Sequence, residues 1–355
     1  MKKMIFMLLF GAMLSTLAAQ EKVYQINEVS VINYGDGRLL FREMDKDKTP
    51  LNGERRIIDG YHSEYILANF KDGMYDGKYQ RFKRENLAEE ANYKEGRLEG
   101  VKKAYYNDGK TVENEANFTN GKLNGIRKTY RQNGAIETEK GYKMGVEDGP
   151  ERRYDYETGK LTTDTYYKDG KKDGDWIESI TSNVGNYTKR SSYKDGVSQG
   201  AYSEIWEDGT PRVKGSYKDG KKDGVWTQFY KSGKPSQSTS YKADLKNGEE
   251  CTYFTDGTKE KSIMYVNNKR DGISKEFFNG SGKVKCEYTF KSGNREGAFK
   301  RFYEDGVVSE EGRYENDSEV YRKEYYSNGK LKSVKERQNG SWETVEQYDA
   351  NGNKK

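Results

Sequence analysis

Apolar and polar residues alternate along this chain in short runs that break at glycine, and the breaks recur at a regular step. Residues 217–239, YKDGKKDGVWTQFYKSGKPSQST, show one unit. An aromatic leads into a Lys-Asp-Gly turn at Gly220, and a second glycine follows four residues on at Gly224. Alternating residues fill 225–230, another turn falls at Ser232-Gly233, and a second polar alternating run closes the unit. The G-x-x-x-G pair recurs at Gly73/Gly77, Gly96/Gly100, Gly121/Gly125, Gly145/Gly149, Gly170/Gly174, Gly196/Gly200 and Gly293/Gly297. The step is roughly two dozen residues, inside the range of repeat architectures. Worn copies at Asp244/Gly248, Asn268/Gly272 and Asp317/Tyr321 fill the gaps. Asn and Asp tolerate left-handed backbone nearly as glycine does, so two of these replacements keep the turn chemistry. Thr49/Gly53 is a degraded first copy, and Gly340 begins a truncated last one.

Three residues before each anchor stands an aromatic, from Phe70 and Tyr93 through Tyr217 and Tyr241 to Tyr314. Five residues after the second glycine stands another large apolar residue, such as Phe82, Tyr105, Phe229, Tyr253 or Phe302. Most of these runs end in Asp-Gly or Asn-Gly, as at Asp208-Gly209 and Asn328-Gly329. Such dipeptides between alternating runs are a strong hairpin signal. Each unit therefore reads as two short strands joined by a tight turn, and the G-x-x-x-G segment leads into the next unit. The predicted fold class is all-β: tandem β-hairpin repeats forming an elongated, twisted antiparallel meander. Residues 49–352 carry the repeats without a proline- or serine-rich linker. About a dozen of them at two strands each would span on the order of 100 Å before twist and curl shorten the body. Residues 20–48, with Val23, Ile26, Val29, Val31 and Ile32, read as an N-terminal half-repeat that caps the stack, and 353–355 as a tail.

The pattern Y-K-x-G-x-x-x-G-x-W-x-x-[YF]-Y-x-x-G-K resembles the MORN-type repeat, specifically the second MORN-repeat family of bacterial YwqK-type proteins. Many of those proteins carry an antitoxin label. The resemblance covers about residues 49–352 and rests on a dozen individually weak motifs in register. It implies stacked β-hairpins and contacts with protein or lipid, and it supplies no catalytic residues. An antitoxin working in the cytosol would conflict with the leader described next.

Residues 1–19 differ from the rest. Lys2 and Lys3 precede an apolar run over 4–17 that ends in Ala18-Ala19, the make-up of a secretory signal peptide cleaved before Gln20. The run is too short to span a bilayer comfortably, and no other stretch approaches that length. The mature chain is thus expected in the periplasm, at the outer envelope or outside the cell. Across 355 residues only 32% are hydrophobic and 34% are charged, a balance that by itself would suggest disorder. The 30 tyrosines and 39 glycines recur in phase, however, and aromatics bury large area while keeping a polar tip wet. With 63 basic and 58 acidic residues the chain lacks the lopsided charge of a nucleic-acid binder. Cys251 and Cys286 are the two cysteines. In a meander they stand about three strands apart, roughly 14 Å at ~4.8 Å per strand, beyond disulfide reach, so two free thiols are expected.

Catalytic chemistry finds little to work with, and the chain is read as not an enzyme. His62 is the sole histidine and reads as an exposed residue near a turn. No cysteine pair has metal-ligand spacing, so neither metal nor cofactor is expected. Glu249-Glu250 and Glu310-Glu311 read as solvated strand and turn charges. Strand parity supplies the functional candidate. The residue five after the second glycine shares a face with Val101, Ile126, Val225 and Ile273, which is expected to be the packed side. The opposite parity carries Trp176, Tyr202, Trp206, Trp226, Tyr230, Phe254, Phe278, Phe299 and Tyr303. These nine form either a binding surface or a second packed layer of a sheet that curls. As a surface they suit a protein partner first, because Tyr and Trp anchors dominate protein recognition. Polysaccharide is the alternative, by ring stacking in the manner of cell-wall-binding repeats. Lipid contact ranks last, because the Lys-rich turns at 168–172 and 218–222 also carry aspartates. The expectation is an exported, non-enzymatic interaction scaffold in which Trp206→Ala plus Trp226→Ala weakens partner binding without changing the β-sheet spectrum.

Overall fold

The computed structural model of the chain describes residues 22–355. The signal peptide expected at 1–19 lies outside the described residues. Two compact units are formed, one ending at Val146 and the other Glu147–Lys355. In the first, strands from Gly53–Asp59 to Ile136–Lys143 pair antiparallel in chain order. In the second, the same order runs through to Ser341–Gln347. Tandem antiparallel hairpins are thus the architecture of each unit.

The two turn types of a repeat differ. At the anchor both central residues have positive φ, for example Asp219 at 51° and Gly220 at 78°. That is the two-residue mirror-image turn whose twist suits a hairpin. Worn copies keep the geometry without glycine: Ala243 and Asp244 stand at 51° and 69°, Asn267 and Asn268 at 47° and 67°. The second glycine of the pair sits in a bulge. Tyr217 pairs with Lys222, but Lys214 pairs with Thr227, so Asp223 and Gly224 are extra residues on one strand. The far turn is a three-residue loop. Gly209 N–H donates to Trp206 O at 2.9 Å, Trp206 N–H to Thr210 O at 2.8 Å, and Gly209 takes φ 88°. The Asp208 carboxylate accepts the Thr210 N–H at 2.8 Å, which explains why Asp or Asn precedes that glycine.

Anchor turns are tied to one another. From Gly73 to Asp317 the second central residue of each donates its N–H to a carbonyl one unit back: Gly220 to Ser198 at 2.9 Å, Asp244 to Lys222 at 3.0 Å, Asn268 to Lys246 at 2.9 Å and Gly293 to Arg270 at 2.8 Å. The first unit repeats this with Gly96 to Tyr75 and Gly121 to Leu98, both 2.8 Å. The first central residue is held by a side chain from the position before the previous second glycine. Gln199 accepts from Asp219 N–H at 2.8 Å, Asp271 from Ser292 at 2.9 Å and Glu296 from Asn316 at 2.8 Å.

The N-terminal segment departs from the expected half-repeat. Strand β1 (Lys22–Gln25) adds to the ladder in parallel, beside Gly53–Asp59. Strands β2 (Val29–Asn33) and β3 (Leu39–Glu43) form a separate two-stranded sheet. Phe41 of β3 packs against Phe70 and Tyr75 with ring centroids 5.2 and 4.8 Å away, and its N–H reaches Gly73 O at 2.7 Å. Val29, Phe41, Leu51, Ile57 and Phe70 belong to one buried cluster. Apolar residues of this segment thus cover the first hairpins instead of continuing their pattern.

The face expected to be packed is the open one. Val101 is 39% exposed, Val225 58% and Ile273 50%, while Ile126 is half-buried. The covered face belongs to the opposite parity, where Trp176, Trp226 and Phe299 are 6%, 8% and 2% exposed. The physical reason is area: an aromatic buries more surface than Val or Ile, and rings on neighbouring strands meet edge to face. Cys251 and Cys286 are free, buried thiols, and burial pushes both thiol pKa values up.

Turn geometry predicts an asymmetric pair of variants. Gly220→Val places a β-branched residue at φ 78°, with Val197 3.3 Å from the new Cβ. It should cost about 1–3 kcal/mol, read as a lower urea midpoint. Asn267→Gly should change stability by less than about 0.5 kcal/mol, because its φ of 47° is already left-handed. Equal effects at both positions would contradict the turn assignment.

Candidate functional site

The nine aromatics named from sequence fall into two columns instead of one patch. Trp176, Tyr202, Trp226 and Phe299 stand two residues past the second glycine. Trp206, Tyr230, Phe254, Phe278 and Tyr303 stand six past it, near the far turn. Four residues of strand separate the columns by ~13 Å. Between them runs a polar row of Glu178, Glu204, Gln228, Thr252, Glu276 and Arg301.

Most of the far column is engaged in holding neighbouring repeats. Tyr230 O–H donates to Tyr253 O at 2.5 Å and Tyr303 O–H to Tyr325 O at 2.9 Å. Phe254 and Phe278 occupy the same slot half-buried, without a hydroxyl. Trp206 is half-buried with Lys231 Nζ 3.6 Å above its ring, and Tyr187 meets it edge-on at 5.9 Å.

In the near column the structure brings Tyr202 and Trp226 together at 5.1 Å, walled by Tyr217, which meets the two rings at 5.6 and 5.0 Å. The Trp226 indole lies over Gly215, where a Cβ would stand 2.3 Å from the ring, so glycine is required there. Its Nε1–H donates to Ser216 O at 3.1 Å, and Lys222 Nζ sits 4.4 Å over the ring. Beside them opens a groove of about 300 Å³ that also touches Glu204, Arg212, Gln228 and Tyr241. Glu204 accepts from Tyr202 O–H and pairs with Arg212. Burial pushes the Tyr202 phenol up to about 12, so it remains a proton donor at neutral pH.

One element of the column escaped the sequence reading. The residue two before the second glycine is a cation in five copies, with Ser198 in the copy after Lys172 as the exception, and each cation reaches the anchor aromatic of the next repeat. Lys172 lies 5.0 Å from the Tyr193 ring, Lys222 5.2 Å from Tyr241, Lys246 4.9 Å from Tyr265, Arg270 5.4 Å from Phe290 and Arg295 4.4 Å from Tyr314. The spacing is visible in the sequence, but Lys172 and Lys222 are weighed there only within Lys-rich turns, for lipid contact.

The model of the MORN repeat variant matches residues 222–243, 295–316 and 319–339. Each matched stretch begins just before or just after a bulge position and ends at the next left-handed turn. The chain carries MORN-type repeats at these three places. No curated protein matches its sequence. Among solved structures, the Tc holotoxin pore of Photorhabdus luminescens is 11% identical with a TM-score of 0.19, over 88% of this chain and 18% of that one. The chain thus spans less than a fifth of that protein's length. A porin-like protein from Bacteroides uniformis is 11% identical with a TM-score of 0.15, over 55% of this chain and 86% of that one. Neither likeness bears on function.

Outside the ring columns, the candidate chemical groups have ordinary partners. His62 is exposed, with Nδ1 2.6 Å from Asp59. Glu249 bonds Ser262 at 2.6 Å and Lys259 at 3.1 Å, and Glu250 is held by Lys246 and by Thr239 at 3.1 Å. Glu310 pairs with Arg301 at 2.7 Å, and Glu311 accepts from Tyr325 at 2.7 Å. Among the described residues no group of three or more His, Cys, Asp or Glu is placed to hold a metal.

Burial separates the two tryptophans proposed for joint replacement. Trp226→Ala should destabilise the fold by about 3–5 kcal/mol, as removal of a buried indole does. Trp206→Ala should cost roughly half that, since its ring is partly wet already. Thermal melts of the single variants measure this; an unchanged melt for Trp226→Ala would contradict a packing role.

Proposed function

We propose that this MORN-type chain is an exported, non-enzymatic scaffold that binds a protein partner at the cell envelope or outside the cell. The observation that supports this most is the groove beside Trp226. It combines Tyr202, Tyr217, Tyr241 and Arg212 with exposed Gln228 on a rigid sheet. Tyr, Trp and Arg are the residues that dominate protein interfaces, and a strand scaffold holds them without an ordering cost on binding. The leader-like composition of residues 1–19 supports export. The partnered state of His62 and of the paired glutamates supports a binding role over catalysis.

The alternative partner, a polysaccharide, needs flat ring faces open to solvent. The indoles of Trp176 and Trp226 are buried, and Lys231 covers a face of Trp206, so this reading has less to stand on.

A photo-crosslinking residue placed at Gln228 should capture one envelope or secreted protein. The same residue at Val225, exposed on the opposite face, should capture none. Equal capture from both positions, or retention on insoluble cell-wall glucan released by soluble glucan, would contradict a protein-binding groove.

A further inference from the structure

The near column has a vacancy. In three copies the cation two before the second glycine reaches both the next repeat's aromatic and the residue two past that glycine. Lys172 lies 3.8 Å over Trp176, Lys222 lies 4.4 Å over Trp226, and Lys246 pairs with Glu250. Arg295, two repeats further on, pairs with Asp317 at 3.2 Å. Arg270 has Phe290 on one side, and on the other the column position is Ser274. Among the described residues no carboxylate pairs with Arg270. The Ser274 side chain is buried at 8% exposure, and its hydroxyl has no hydrogen-bond partner. A buried hydroxyl without a partner is costly, and a ligand that bonds it removes that cost. Ser274 lines a cavity of about 470 Å³. Its walls include Ile263, Tyr288 and Phe290, with Arg270 and Arg295 at its polar side.

We infer that this cavity is a recognition pocket for an aromatic ring, occupied by a tryptophan side chain of the partner protein. The fit follows from the chain's own repeats. Trp176, beside the β-branched Thr165 as Ser274 is beside Ile263, shows what the slot accepts: an indole edge-on to Tyr167 and Tyr193 with its face under Lys172. The Ser274 pocket offers the same elements with the ring missing. Arg270 supplies the cation, Phe290 and Tyr288 the ring edges, and the Ser274 hydroxyl an acceptor for an incoming N–H. The inference deepens the scaffold reading and rests on it for the identity of the occupant as a protein side chain.

The full mature chain is titrated with free indole and with N-acetyltryptophanamide by ligand-observed NMR. Binding in roughly the millimolar range is expected for so small a ring, with cyclohexanol clearly weaker. Ser274→Trp supplies the ring from within and should weaken indole binding at least tenfold while raising the thermal midpoint. Arg270→Gln, at an exposed side chain, removes the cation and should weaken it roughly threefold or more, with a smaller midpoint shift than Ser274→Trp. No indole binding, or equal binding by wild type and Arg270→Gln, would overturn the inference, even should Ser274→Trp fail to fold. Two arms keep this apart from the scaffold reading. Protein capture through Gln228 with indole indifferent to Ser274 and Arg270 sinks the pocket alone. Indole binding at Ser274 without any protein capture leaves a site for a free small aromatic and sinks the partner's tryptophan as occupant.

Discussion

A backbone N–H in a left-handed turn, donated to a carbonyl one repeat back, is the contact on which each unit depends. It recurs as Gly220 to Ser198, Asp244 to Lys222, Asn268 to Lys246 and Asp317 to Arg295. A lone hairpin is marginal in water. One such bond contributes only about 0.5–1.5 kcal/mol net, but it recurs once per repeat, and stability then accumulates as a sum over neighbours. The bond also fixes register. A repeat that slipped by one residue would lose its turn contact and turn every ring to the other face. This explains how a chain with so few aliphatic residues can be ordered: the turns set the spacing, and the aromatics fill what the spacing leaves.

The hairpins, their step and the repeat family were legible because glycine and aromatic positions leave a strict trace in sequence. The pairing of turns was less so. Asp173, Gln199 and Asp271 look like ordinary polar turn residues, and their acceptor role emerges only when the next turn is set beside them. Parity was read correctly as a two-faced strand, but the faces were assigned the wrong way round. Val225 and Ile273 suggested a core by residue type, whereas the covered side goes to whichever rings can meet across strands, as Tyr217 does with Trp226. The N-terminal segment was legible as a cap to the stack, and its placement over Phe70 and Tyr75 was not, because nothing local encodes a tertiary cover.

The same ring column serves two purposes. Where Trp226 or Phe299 fills the slot it is structure; beside Tyr202 it forms a groove wall; at Ser274 it is left open. A scaffold made of near-identical units acquires individual sites by changing one residue per copy while the turns hold the geometry constant. Function in such a chain is written in the departures from the repeat.

Hydrogen exchange resolved to single amides in the turns tests the central claim most directly. In an isolated two-residue hairpin turn the second central amide faces water and exchanges quickly. Here the amides of Gly220, Asp244 and Asn268 should be protected to the level of strand amides such as that of Thr227. Exchange at the rate of open turn amides, with the strands still protected, would contradict the account.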